Sequence, residues 1–147
     1  MREPDFEIDG WCLDDGEAYH AEAPETFWLP ERQRRESLQP GDHAKLIFRI
    51  SVDNADENVA VERMWVLVRE RTSGGYLGIL DNEPDAIAEN DEFWLGTELP
   101  FSAKHVINIE EKDAKSVALA REEPLRRLSR QSGAVVFSER RDPIKSL

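Results

Sequence analysis

The sequence predicts an α+β fold: a twisted antiparallel sheet of about five or six strands, barrel-like in its curl, with two or three short helices against it. Three observations lead there. Residues 44–52 alternate between apolar and polar side chains. Residues 62–70 hold a continuous apolar run, Met64-Trp65-Val66-Leu67-Val68. A Thr72-Ser73-Gly74-Gly75 turn then joins that run to a second short apolar stretch, Tyr76 to Leu80. Residues 44–80 therefore read as a three-stranded meander.

Taken in order, residues 1–26 are acidic and broken by Pro4, Gly10, Gly16 and Pro24. Phe6, Ile8, Trp11 and Leu13 are the apolar anchors. One short edge strand is expected there, the rest being loop, partly mobile and tied to the body by Trp11. Phe27-Trp28-Leu29 precedes Pro30, a residue favoured at the first position of a helix, so a short helix is expected from Pro30 to Leu38. Pro40 must stop it, and Gln39-Pro40-Gly41-Asp42 is a turn.

In the first strand Ala44, Leu46, Phe48, Ile50 and Val52 share one face, and Lys45, Arg49 and Ser51 the other, with Ile47 as the exception. In the second, Met64, Val66 and Val68 oppose Trp65 and Leu67, the pattern of a strand covered on both sides. The glycine pair offers positive φ for a tight hairpin. Gly78 marks a bulge or a close neighbour such as Trp65. Asp81-Asn82-Glu83-Pro84 ends the return strand.

Beyond it, one or two short strands are expected over 92–101 with a bend at Gly96, and another over His105 to Ile109. Glu110 to Glu123 reads as a helix ended by Pro124, Leu125 to Arg130 as a further basic helical turn, and Ala134 to Phe137 as a last strand before a frayed tail, 138–147. At 147 residues a single domain is expected, large enough to bury roughly two-thirds of its unfolded surface.

The net charge of −12 disfavours nucleic acid and anionic membranes as partners, since phosphate would be repelled. No window approaches the roughly 20 apolar residues of a membrane span. The acid is concentrated in residues 1–30, where Glu3, Asp5, Glu7, Asp9, Asp14, Asp15, Glu17, Glu22 and Glu25 face Arg2 alone. The C-terminus leans basic, through Arg121, Arg126, Arg127, Arg130, Arg140, Arg141 and Lys145. Cys12 is the only cysteine, which excludes an intrachain disulfide and fits a reducing cytoplasm. Its acidic neighbours disfavour a thiolate.

Chemical motifs are sparse. His20, His43 and His105 show no metal-ligand spacing, and there is no nucleophile elbow, P-loop or dinucleotide fingerprint. No cofactor or metal is therefore expected. His43, beside Asp42 in a turn, reads as solvated, and His105 as a structural or capping residue. Asp81 and Glu83 flank Asn82 at a strand end, a geometry that terminates a turn or takes a cation or polar ligand. Trp65 is assigned to the core, and becomes a binding residue if its ring is exposed.

The pattern Glu62-Arg63-Met64-Trp65-Val66-x-Val68, then Tyr76-x-Gly78-x-Leu80-x-Asn82-x-Pro84, then His105-Val106-Ile107 resembles an uncharacterised bacterial family, the domain of unknown function 2314. Phe27-x-Leu29-Pro30 and Gly41-Asp42-x-Ala44-Lys45-Leu46 look like lead-in elements of the same group. The likeness covers about residues 42–110. It implies no activity, so no catalytic role transfers. By class analogy it implies an immunity-like or accessory protein. The expected function is thus non-enzymatic binding of a basic protein partner. The alternative is a small-ligand binder or hydrolase built from Asp81, Asn82, Glu83 and His105.

Overall fold

The computed structural model describes residues 2–52, 58–81 and 96–124 in full, and residues 126–128 and 137–139 by their backbone. Eight strands are described: β1 (Trp11–Leu13), β2 (His43–Ser51), β3 (Val59–Arg71), β4 (Tyr76–Leu80), β5 (Thr97–Phe101), β6 (Asn108–Glu110), β7 (Arg126–Leu128) and β8 (Phe137–Glu139). Four short helices accompany them: α1 (Phe6–Asp9), α2 (Gly16–Glu22), α3 (Arg32–Arg35) and α4 (Ala114–Ala120). The sheet runs β1-β2-β3-β4-β5-β7-β8, and β6 also pairs with β2. It is α+β and curls into a half-barrel, as predicted. Strands β1 to β6 are joined by antiparallel pairings, and the one parallel step, β5 to β7, extends this body.

The predicted meander is present. Its centre is the nine-residue pairing of β2 with β3, in which Lys45 faces Trp65 and Phe48 faces Glu62. Even-numbered residues of β2, and of β3 from Met64 to Val68, fill the inside of the curl. Leu46, Phe48, Ile50, Met64, Val66 and Val68 are all buried there with Trp11, Tyr76, Leu80, Leu99, Phe101 and Val106. Trp11 enters because β1 sets it opposite Ile50, and its ring lies 5.9 Å from that of Phe48. Ile47 and Leu67, on the opposite face, are buried too.

The turn before β4 departs from expectation. Thr72 donates to the Gly75 carbonyl at 2.9 Å, but neither Gly74 nor Gly75 occupies the left-handed region. Gly75 is needed for closeness instead: a Cβ there would stand 2.3 Å from the Phe101 carbonyl of β5. Gly78 is tight for the same kind of reason, against Val66, the Leu67 carbonyl and Phe101 rather than Trp65.

The acidic N-terminal segment has more structure than one edge strand. Asp5 caps α1 by accepting from Glu7 and Ile8, and Asp15 caps α2 by accepting from Glu17 and Ala18. The helix expected at Pro30–Leu38 shrinks to α3, with Glu31 as its N-cap. α3 has no apolar stripe. It is held by Arg35, buried, which donates to the Pro30 and Ala103 carbonyls at 2.9 Å each and to Glu17 at 2.7 Å.

Three further corrections concern the C-terminal half. His105 belongs to a single 3-10 turn, Ala103–His105, and the following strand begins at Asn108. The expected helical turn at 125–130 is strand β7 over Arg126–Leu128, ordered by pairing with β5 and β8. The last described strand is Phe137–Glu139, which takes in the first two residues of the tail expected to be frayed, and residues 134–136 lie outside the described residues.

Candidate functional site

On the face of the sheet away from the core, β2 presents His43 and Lys45, and β3 presents Trp65 opposite Lys45. Asp81 follows β4, and its backbone N–H donates to the Trp65 carbonyl at 3.0 Å. Its carboxylate meets His43 Nε2 at 2.8 Å. Because β3 lies between β2 and β4, this contact reaches over a whole strand, about 9.5 Å between strand axes. The imidazole crosses beside Trp65, edge-on at 6.4 Å between centroids and 88° between planes. Lys45 Nζ stands 5.6 Å from the centroid of the same half-buried ring. The result is a carboxylate, an imidazole and an ammonium arranged about one indole.

Chemically, such a carboxylate orients a histidine through its ring nitrogen. Among the described residues no hydroxyl or thiol is hydrogen-bonded to His43. Among the described residues the cluster thus has a base and its orienting group, without a nucleophile.

Of the residues the sequence singles out, Trp65 and Asp81 are brought together, and His105 is not brought to them. Phe101 pairs with Tyr76 at the start of β4, so His105, four residues on, leaves the sheet at the end of β4 opposite to Asp81. Its Nδ1 accepts from the Ser102 backbone N–H at 3.0 Å, a capping role. Burial lowers its pKa; the charges acting on it are those of Glu3, Lys104, Asp15 and Glu17. Asn82 and Glu83 lie outside the described residues. His43, expected from the sequence to be a solvated turn residue, is instead the first residue of β2, partly buried and bonded to Asp81. The available signal was parity, since His43, Lys45, Trp65 and Asp81 all carry odd numbers that the meander register sets on one face.

The N-terminal acid is partly neutralised within the fold. Asp9, fully buried, takes two bonds from Arg2 at 2.6 and 2.7 Å. Asp14 is paired with Arg49, and Glu17 with Arg35. Asp5 and Asp15 are spent as helix caps. Cys12 lies half-buried beside this network; burial, and then Asp14, raise its thiol pKa, which keeps it protonated.

Part of the acid that stays in solvent lies on the stretch of chain that carries Trp28, whose surface is 71% exposed. Glu22, Glu25 and Glu31 are exposed on the same stretch, and residues 22–31 contain no lysine or arginine. The stretch is pinned from beneath. His20 Nδ1 donates to the Phe27 carbonyl at 2.6 Å, the Phe27 ring packs on Tyr19 at 5.3 Å, and Arg63 covers it at 5.4 Å. From the sequence the default reading places Trp28, like the other tryptophans, in the core, and the structure exposes it instead. Its signal is that three consecutive apolar residues on an extended segment cannot all face inward.

No protein-family model, curated protein or solved structure matches the chain.

Proposed function

We propose that this chain is a non-enzymatic, acidic protein of the bacterial cytoplasm that binds a basic protein partner, in the manner of an immunity or accessory protein. One observation carries the reading: an exposed tryptophan on a pinned segment that also carries three exposed glutamates and no lysine or arginine. Tryptophan dominates many protein interfaces because one rigid ring buries a large area. Lysine and arginine of a partner gain from its π face as well as from the glutamates. The overall charge steers such a partner in and repels nucleic acid.

The test is a pull-down from cell extract at low and at high salt, with the parent chain, Trp28→Ala, and the triple change of Glu22, Glu25 and Glu31 to Gln. A specific partner should be recovered by the parent at low salt and lost at high salt and in both variants. Recovery that ignores all three changes, or retention of DNA, overturns the reading.

The His43–Asp81 pair supports a second reading, a small-ligand binder or hydrolase whose base is His43 rather than His105. A panel of activated esters decides it. Hydrolysis above background that disappears in His43→Gln supports it, and background rates across the panel dismiss it.

A further inference from the structure

We infer that the groove between α4 and the outer side of β3 is a binding site for a small organic monoanion, with a carboxylate or phosphate-ester head and a short apolar body. The groove holds about 560 Å³ and is lined by Arg69, Lys112 and Arg121 together with Pro40, Val117 and Ala120, with Glu70 also at its wall. That volume is in the range of small-molecule sites.

Charge is the first ground. Carboxylates outnumber lysine and arginine 31 to 19 in the chain, yet here three cations converge on one carboxylate. Arg69 is already balanced, with Nη1 2.9 Å from Glu98 and Nε donating to the Ala120 carbonyl at 3.1 Å. Among the lining residues that leaves Lys112 and Arg121 against Glu70, an excess of one positive charge, while the Asp42 carboxylate behind the wall is taken up by the backbone N–H groups of Lys112 and Gln39. A monoanion neutralises it.

Rigidity is the second. The walls are tied to one another before any ligand arrives. Gly41 donates to the Val68 carbonyl and Val68 to the Asp42 carbonyl, both at 2.9 Å, and Asp42 accepts from the Lys112 backbone at 2.8 Å. Gly41, at φ +101°, lies so close to Val117 that an added Cβ would stand 2.7 Å from it. The pairing of β3 with β4 shifts between Val68 and Glu70, so Arg69 is the extra residue of a bulge. Such insertions recur where a side chain is aimed off the ladder beside a site. The carbonyls at the end of α4 already have donors, from Arg69, Arg121 and Glu122. Among the described residues neither the Lys112 nor the Arg121 side chain has an ion-pair partner, so both line the groove with a charge to offer a ligand, and Val117, Ala120 and Pro40 give its body an apolar floor.

The probes are hexanoate and phenyl phosphate, with hexanamide as the uncharged control, titrated to low millimolar into isotopically labelled protein. The expected result is saturable movement of the backbone amide resonances of Lys112, Val117 and Arg121 with one or both anions and not with hexanamide. The Lys112→Gln/Arg121→Gln double variant, checked as folded by its own amide spectrum, should lose at least tenfold in affinity. Movement with hexanoate alone assigns a carboxylate site, and with phenyl phosphate alone a phosphate site. The absence of saturable movement, equal movement with hexanamide, or undiminished binding by the folded double variant overturns the inference.

Discussion

Asp14 and Arg49 meet in a two-point ion pair, the arginine Nε and Nη2 standing 3.0 and 2.9 Å from the two carboxylate oxygens. Tyr19 adds its hydroxyl at 2.6 Å. The pair joins the turn before α2 to the C-terminal part of β2, so it fastens the N-terminal segment to the sheet.

Burial pushes the Asp14 pKa up, but the bonds from Arg49 and Tyr19 outweigh it and leave the group below its ordinary value. A carboxylate depressed in the folded state stabilises above the unfolded value, about 3.9, and loses that contribution as pH falls through the lower folded value. Urea midpoints measured from pH 5 to pH 3 should therefore drop, and Asp14→Asn should flatten the drop. An acid limb unchanged in Asp14→Asn would place the sensitivity elsewhere.

His105 gives a second, separate pH window. Its folded pKa is lowered by burial, so the neutral ring is preferred in the folded state. Stability from this source is complete above the unfolded value of about 6.5 and declines as pH falls below it. His105→Gln should remove the decline between pH 6.5 and 5 while leaving the Asp14 limb. Equal slopes in both proteins across that window would contradict the assignment.

The two aromatic residues of the meander should behave differently. Phe48 is fully buried, and Phe48→Ala should cost about 3–5 kcal/mol. Trp65 is half-buried on the other face, beside His43 and under Lys45, so Trp65→Ala should cost less. Urea melts of both variants decide the order, and a Trp65 loss equal to that of Phe48 would return the indole to the core.

A paired glycine comparison tests the packing of β4. A Cβ on Gly78 would stand 2.5 Å from Val66 Cγ1 and 2.7 Å from the Leu67 carbonyl, whereas one on Gly74 meets nothing within 4 Å. Gly78→Ala should lower stability by about 1–3 kcal/mol through overpacking. Gly74→Ala should leave the melt within about 0.5 kcal/mol of the parent, as surface changes usually do. Similar melts for the two variants would deny the crowding at Gly78.

What was readable in the sequence was what local pattern decides. The alternation of 44–52 and the run at 64–68 specify β2 and β3, because a period of two on a half-buried face admits one register. Helices α1 and α2 carry no apolar period of 3.6. They exist through Asp5 and Asp15 as caps, and a search for periodicity passes over them. Arg126–Leu128 holds good helix formers, and its strand state comes from a neighbour, β5, that sequence proximity does not reveal. The site divides the same way. Asp81 and Trp65 were legible together because one hairpin connects them. His43 was not, because its partner lies 38 residues away across an intervening strand.

The far edge of β2 is shared by two short strands, β1 against residues 48–50 and β6 against residues 43–45. In folding terms, the meander closes through local contacts, whereas this edge closes through partners 39 and 65 residues distant, as Trp11 with Ile50 and Ala44 with Ile109. Loop closure of that length is slow relative to a hairpin. As the chain leaves the ribosome, the first three residues of the β2 edge stay unpaired until residue 110 has emerged. An unpaired strand edge is a template for another chain. The ordering of residues 103–110, far from the meander in sequence, thus governs how long the nascent protein remains open to association with its own copies.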